Sequence, residues 1–309
     1  MTAVGSILKK NIYNKDMVVQ LTDEDVKKVQ KRLLYLLDDI IKVCDRYDIP
    51  YQMSGGSCLG AVRHQGFIPW DDDIDINIYR KDVKKFIKYF SHHFGSKYWI
   101  HIPGVSKDYD FPFIRIMTKD IRARDIMDSE KEECGLCIDV FIVENVFDNP
   151  ILRKIQGIGY MGFRYILSCI RFQRNKEDLI RISSKTDEIY KYLRKRAFLG
   201  RIFMIVPIMF WTKLAESWAG ICKNNETEYV SIPAGTKQFF GELYKREPFS
   251  KSIKKEFEGR EVNISADYDT YLSILYKDYM TIPPVEKQER HVMLELDMNA
   301  LEEYCQSKE

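Results

Sequence analysis

The sequence has little that would declare a compartment, a carrier role or a nucleic-acid partner. Its 309 residues hold 48 Lys plus Arg against 46 Asp plus Glu, a formal net charge of +2, so no global excess marks a nucleic-acid binder and any electrostatic function is local. Cysteines are few and odd in number: the seven, at 44, 58, 134, 137, 169, 222 and 305, make no disulfide framework in a chain of this length and point to a reducing compartment. Cys134-Gly-Leu-Cys137 has the spacing of half a zinc site, but no second Cys-x-x-Cys or spaced His pair follows. Small half-buried side chains around a strand are the favoured reading there. The amino-terminal stretch MTAVGSILKKNIYNKDM lacks the apolar core of a secretory signal, so export by that route is not expected. The longest apolar run, Ile202 to Trp211, is ten residues with Pro207 inside it, against the roughly twenty that span a bilayer. Internal repeats, low-complexity tracts and a linker able to separate independent domains are also missing.

What remains is a chain with ample core: 45% of residues are hydrophobic and 13% aromatic, enough for one large domain or two smaller ones. Helical period appears first. After the capping candidate Thr22, with Asp25 three residues on, Val26, Val29, Leu33, Leu36, Leu37, Ile40, Ile41 and Cys44 recur at helical spacing, predicting an amphipathic helix to about Tyr47. Pro50 closes it, Tyr51-Gln52-Met53 reads as a short strand, and Ser54-Gly55-Gly56-Ser57 as a glycine turn into a second helix. A helix start with unpartnered N–H groups admits an anion, so this turn is a candidate phosphate cradle, although most such turns are only turns. It fits neither the Gly-x4-Gly-Lys-Ser/Thr loop nor the Gly-x-Gly-x-x-Gly fingerprint.

The aspartates are the strongest local signal. In Asp73-Ile74-Asp75-Ile76-Asn77-Ile78 the period is two, which turns Ile74, Ile76 and Ile78 to a core and Asp73, Asp75 and Asn77 to the opposite face. Two carboxylates on one strand face suit a hard divalent cation such as Mg²⁺, commonly held by one or two carboxylates plus substrate phosphates. A calcium-binding EF-hand loop is excluded because its sixth position, counted from Asp71, is Ile76 where glycine is needed. A later strand, Cys137 to Ile142, repeats the arrangement with Asp139 opposite the face of Ile138, Val140 and Ile142. A solvated strand face explains Asp139 equally well when it is taken alone.

Together, GGSCLGAVRHQGFIPWDDDIDINIYRKDV, the later IDVF and the C-terminal FEGREVNISADYDTYLSILYKDYMTIPPVEKQERH closely resemble the LicD family, phosphocholine transferases of bacterial surface glycans related to the fukutin group, within the nucleotidyltransferase superfamily. The resemblance covers about residues 22–144 and 239–291. It implies an α+β fold: a nucleotidyltransferase-like mixed sheet flanked by helices, with a helical insertion. It also implies transfer of a phosphoalcohol, phosphocholine first, from CDP-choline or another CDP-alcohol to a glycan or glycolipid hydroxyl. Such a glycan would be lipopolysaccharide, capsule or teichoic acid, or a lipid-linked precursor. Mg²⁺, with Mn²⁺ as the alternative, would rest on Asp73, Asp75 and Asp139. Gly55, Gly56 and Ser57 would approach the donor phosphate, with Arg63 and His64 nearby. The chain departs from the family where Ser57-Cys58 replaces Thr-Leu and Ile142-Val143-Glu144 replaces Pro-Leu-Asp, neither of which removes an expected metal ligand. True nucleotidyl transfer and a non-catalytic nucleotide-binding protein are the competing readings.

Less certain residues complete the expectation. Arg115 and Lys119 could reach phosphate or cytidine, or be solvated strand cations; Asp71 and Asp72 are supporting groups or loop acids. Tyr268, Tyr271, Tyr276 and Tyr279 could surround a quaternary ammonium, but a packed aromatic helix is the favoured reading. The chain is divided into a leader 1–21, a catalytic core 22–144, a variable helical insertion 145–235 carrying acceptor choice, and a C-terminal part 236–309 that completes the domain. Within the insertion, Lys191, Arg194, Lys195, Arg196 and Arg201 adjoin the apolar run. A cytoplasmic protein, peripheral at the inner face of an anionic membrane, is expected from that segment, with a buried helix or lid as the equal alternative.

Overall fold

The computed structural model describes residues 18–128, 132–182, 188–288 and 290–308; most of the expected leader, residues 1–17, lies outside them. Thr22 opens helix α1 (Asp23–Arg46): its hydroxyl accepts the Asp25 N–H at 3.2 Å and the Asp25 carboxylate accepts the Thr22 N–H at 2.9 Å. The predicted stripe of α1 is buried against the sheet, with Tyr47 as C-cap. Strand β1 (Tyr51–Met53) follows as read, and then helix α2 (Gly55–Arg63) begins directly after its N-cap, Ser54. Gly55, Gly56 and Ser57 are therefore the first turn of the helix and not a turn before it. Gly55 has φ +49°, a conformation that a side chain disfavours, and this lets so tight a junction form.

Strand β2 (Ile74–Tyr79) leads into α3 (Arg80–Phe94), β3 (Tyr98–His101), β4 (Ile114–Thr118), the short β5 (Ala123–Asp125) and the long β6 (Cys137–Val146). The main sheet has the order β1-β2-β6-β4-β3; β2 and β6 run parallel and the other neighbours antiparallel. Ile74, Ile76 and Ile78 on β2 and Ile138, Val140 and Ile142 on β6 are buried, as the alternation predicts. Each fully buried aliphatic side chain is worth roughly 2–3 kcal/mol, and a one-residue slip would expose all six, so these isoleucines fix the register that sets the acids.

After β6 the chain leaves the sheet. Asn149 accepts the N–H groups of Ile151 (2.9 Å) and Leu152 (3.1 Å), and Pro150 takes the first position of α4 (Pro150–Arg174). Helices α5 (Lys176–Ile182), α6 (Glu188–Phe203) and α7 (Ile208–Ala219) pack back on α4. The apolar run is thus split: residues 204–207 separate α6 from α7, and the two helices meet at 97°. No single helix among the described residues is long and apolar enough to cross a membrane. The stretch 145–235 is not helical throughout, because β7 (Tyr229–Ser231) returns to pair with the end of β6, and β8 (Leu243–Lys245) adds to β7 after the short α8 (Gln238–Gly241).

Ionic and hydrogen-bonded links tie these helices to the sheet and to one another. Arg80 donates to Glu144 of β6 and, at 2.9 Å, to Glu216 of α7; Trp218 Nε1 donates to the Gln156 carbonyl at 2.9 Å. The remaining elements are α9 (Arg246–Ser250), the hairpin β9 (Ser252–Phe257) and β10 (Arg260–Ser265), α10 (Tyr268–Tyr276), β11 (Met293–Leu296), which pairs with β5, and α11 (Met298–Gln306) on α1.

Glycine permits the α4–α7 approach: a Cβ on Gly159 would lie 2.3 Å from the Trp218 ring. Gly159→Ala is therefore expected to lower the unfolding free energy by about 1–3 kcal/mol in urea denaturation, the usual effect of overpacking. Unchanged stability would mean that the two helices are free to separate.

Candidate active site

The site is built on the sheet face opposite the isoleucines. Register places Asp75 of β2 directly beside Asp139 of β6 on the parallel pair, and Arg115 of β4 beside Asp139 on the other side. Adjacent strands lie about 5 Å apart, so two ionised carboxylates there repel by about 3 kcal/mol even at an effective dielectric near 20. Arg115 answers Asp139 in a fork, Nε to Oδ1 at 2.8 Å and the terminal nitrogen to Oδ2 at 3.1 Å, and donates to Asp128 at 2.6 Å. Asp75 receives no such partner.

The aspartate loop closes the site from above. Asp72 accepts His291 Nδ1 at 2.9 Å and the His291 backbone N–H at 3.2 Å, while His291 Nε2 lies 3.5 Å from Asp73 Oδ2. Burial works against a charge on this imidazole, but Asp72 and Asp73 outweigh it and raise its pKa to about 10. It stands as an imidazolium between two carboxylates. Asp71 turns towards the start of α2, where a Cβ on Gly56 would meet its Oδ2 at 2.6 Å; a Cβ on Gly55 would meet Asp75 Oδ2 at 3.3 Å. The paired glycines are thus what allow a helix N-terminus to sit against two acids. Burial first, and the other aspartates next, push the carboxyls of Asp71 and Asp75 well above the usual carboxylate range. Among the described residues neither has a Lys or Arg within ion-pair distance.

This donor set fits a hard divalent cation. Asp139 is in register beside Asp75 and Asp73 immediately precedes β2, and of these Asp75 is the carboxylate that a cation would neutralise; among the described residues the three do not bring ligand atoms within 4.8 Å of one another. Asp72, Asp73 and His291 also bring one ligand atom each within 4.8 Å of one another. That grouping adds an imidazole nitrogen to two carboxylates and is the softer set.

The phosphate-facing residues are more engaged than their sequence suggests. The Gly55 N–H donates to the Tyr271 hydroxyl at 2.8 Å, which also bonds Ser54 Oγ at 2.9 Å, and Ser57 Oγ accepts the Asp75 N–H at 2.9 Å. Ser57 therefore locks α2 onto β2 and Tyr271 locks it onto α10, while the Asp71 carboxylate stands over Gly56. Arg63 donates to the Tyr279 carbonyl at 2.6 Å and to His64 Nε2 at 2.9 Å. Burial lowers the pKa of Arg63 and of His64, and no carboxylate offsets it. Lys119 does not join the group: it donates to the Gly95 carbonyl at the end of α3, at the Thr118 end of β4.

Sequence reasoning gave His291 no role, although the quoted C-terminal motif ends on it. It missed Asp128 altogether, a loop acid that only the tertiary structure brings to Arg115. The four tyrosines form no cage: Tyr271 is core with its hydroxyl on the Gly55 N–H, Tyr279 donates to Asp269 at 2.7 Å, and the Tyr276 hydroxyl would lie 3.7 Å from a Cβ on Gly55. All seven cysteines are free; Cys134 is buried and Cys137 begins β6.

Residues 48–146 match the model of the LicD/FKTN/FKRP nucleotidyltransferase domain, and they hold the glycine-led helix and the strands bearing Asp75 and Asp139. Over 268 residues the chain is 26% identical to the lipopolysaccharide cholinephosphotransferase LicD of Haemophilus influenzae, covering 84% of this chain and 92% of that protein. Over 44 residues it is 46% identical to the ribitol 5-phosphate transferase FKRP of Mus musculus and of Homo sapiens, 14% of this chain and 9% of each relative.

A carboxyl whose folded pKa is raised stabilises the fold only below its ordinary value, 3.8 for Asp75, and that contribution is lost as pH rises through the folded value. In chelator near neutral pH, Asp75→Asn should therefore raise the unfolding free energy by about 1–3 kcal/mol, the gain fading on acidification. A destabilised variant would mean that the protein itself compensates Asp75.

Proposed function

We propose that this protein transfers a phosphoalcohol, phosphocholine first, from a CDP-linked donor to a hydroxyl of a surface glycan or its lipid-linked precursor, on the cytoplasmic side of the membrane. The observation that carries this reading is the juxtaposition of two carboxylates that no Lys or Arg among the described residues balances with a glycine-led helix N-terminus, Asp75 against Gly55 and Asp71 against Gly56. The extended likeness to a cholinephosphotransferase, and the shorter one to a ribitol 5-phosphate transferase, favour phosphoalcohol transfer over nucleotidyl transfer.

Phosphoryl transfer asks a protein chiefly for in-line positioning and for neutralisation of charge on the transferring oxygens. Asp73, Asp75 and Asp139 would hold Mg²⁺, or Mn²⁺, which when bound supplies charge neutralisation at the donor phosphates and a more acidic acceptor hydroxyl. The donor pyrophosphate would approach the first turn of α2 at Gly56 by displacing the Asp71 carboxylate that stands there. Arg63, a cation with no acid beside it, would face that anion. The acceptor oxygen attacks the phosphorus that bears the alcohol, the bond from that phosphorus to CMP breaks, and CMP leaves. Asp139 would take the acceptor proton, with Arg115 occupying one lone pair on each carboxylate oxygen and fixing the orientation of the others. His291 would keep Asp72 and Asp73 from repelling each other during the cycle.

The purified protein is to be incubated with Mg²⁺, each of the choline, ethanolamine, ribitol and glycerol CDP-alcohols, and cell-derived glycolipid, and CMP measured. One donor should release CMP in stoichiometry with labelled acceptor, chelator should stop the reaction, and Asp75→Asn should lower the rate by about a hundredfold or more. Pyrophosphate or free phosphoalcohol as product would instead establish nucleotidyl transfer, and chelator-resistant turnover would remove the metal.

A further inference from the structure

We infer that the helices between β6 and β7 form a docking face for an anionic lipid surface, with exposed apolar side chains entering the headgroup boundary and lysines around them. Along α4, Ile151, Ile155, Ile158, Gly162 and Tyr165 follow one another at four and three residues, so they form one stripe of the helix. Among the described residues the stripe is bare up to Tyr165, whose ring Arg196 covers: Ile151 is 68% exposed, and a Cβ on Gly162 would meet nothing within 4 Å. At the bend between α6 and α7 a second stripe, Phe198, Ile202 and Ile205, is also bare, with Phe198 65% and Ile205 83% exposed. The two surfaces adjoin, because Arg196 lies over the rings of both Tyr165 and Tyr192, and Phe203 and Trp211 pack beside Phe163 and Ile166.

Charge selects the occupant. The chain as a whole is nearly neutral, yet residues 150–174 hold five basic residues and residues 189–215 six, with no acidic residue in either stretch. Arg164, Arg171 and Arg196 among them are turned inward, onto carbonyls, onto Asp110 and onto aromatic rings. Lys154, Lys191, Lys195, Arg201 and Lys213 are exposed and have no acidic partner among the described residues. A protein interface of this size would be depleted in lysine, whereas lysine stems lie along a bilayer boundary with the ammonium among phosphates. The 97° bend puts the exposed Ile205 at the corner between α6 and α7, where it can enter a headgroup boundary. This face does not depend on what the catalytic site transfers.

Vesicle co-sedimentation of the full chain tests it, with phosphatidylglycerol-containing and pure phosphatidylcholine vesicles in parallel. The parent should bind the anionic vesicles at least about tenfold more tightly, and less so as salt rises. Phe198→Ser with Ile205→Asp, and separately Lys195→Glu with Arg201→Glu, should each weaken binding by about tenfold or more, at unchanged circular dichroism and melting temperature. Equal binding to both vesicle types, or parent-like binding by the Phe198/Ile205 variant, would overturn the inference. So would a dimer in light scattering that the same variant dissolves, since a second copy would then cover the face.

Discussion

Electrostatic repulsion confined to one end of a sheet face governs much of what surrounds it. Asp71, Asp72, Asp73, Asp75 and Asp139 converge there, and the chain brings two cations to them, the imidazolium of His291 and the guanidinium of Arg115. The deficit falls on Asp71 and Asp75, beside a helix N-terminus that glycine alone can bring so close. The nearby hydrogen bonds read as holding that arrangement in place. Ser57 clamps the Asp75 backbone, Tyr271 clamps Gly55, and the five isoleucines and one valine buried beneath β2 and β6 forbid a shift of register.

The helices outside the sheet are coupled to this centre through aromatic and ionic packing. Phe111 lies between two guanidiniums, Arg115 at 4.4 Å and Arg171 at 3.9 Å, and Arg171 also donates to Asp110 at 2.9 Å. The same arginine that orients Asp139 is therefore stacked against the ring that α4 holds from the other side. A displacement of α4 would be felt at Asp139 with only one ring between them.

Much of the fold and part of the site were legible from residue order. Alternation in Asp73–Ile78 and Cys137–Ile142 displayed which side chains share a face, because a strand's period is local and rigid. The Thr22–Asp25 cap and the stripe of α1 were legible for the same reason. What sequence could not display was partnership across distance. Lys119 and Arg115 are both strand-end cations, yet one caps a helix and the other grips two acids, a difference decided by register between β4 and β6. Arg196 reads as one more basic residue in a cluster, but three rings and Ser168 surround it. The glycines were seen as a turn because their run suggests one, whereas the positive φ of Gly55 folds the turn into the helix itself.

The pairing of Asp72 with His291 joins residues 219 positions apart, and β11, which follows that histidine, closes on β5. A ribosome delivers the N-terminal part of a chain first. The parallel pair β2 and β6 can form while the C-terminal segment is still being made, but the imidazolium arrives only near the end of translation. Throughout that interval the aspartate loop has no internal counter-charge, and a chain cut short before residue 291 never acquires one. Completion of synthesis is thus built into the site as a condition of its assembly.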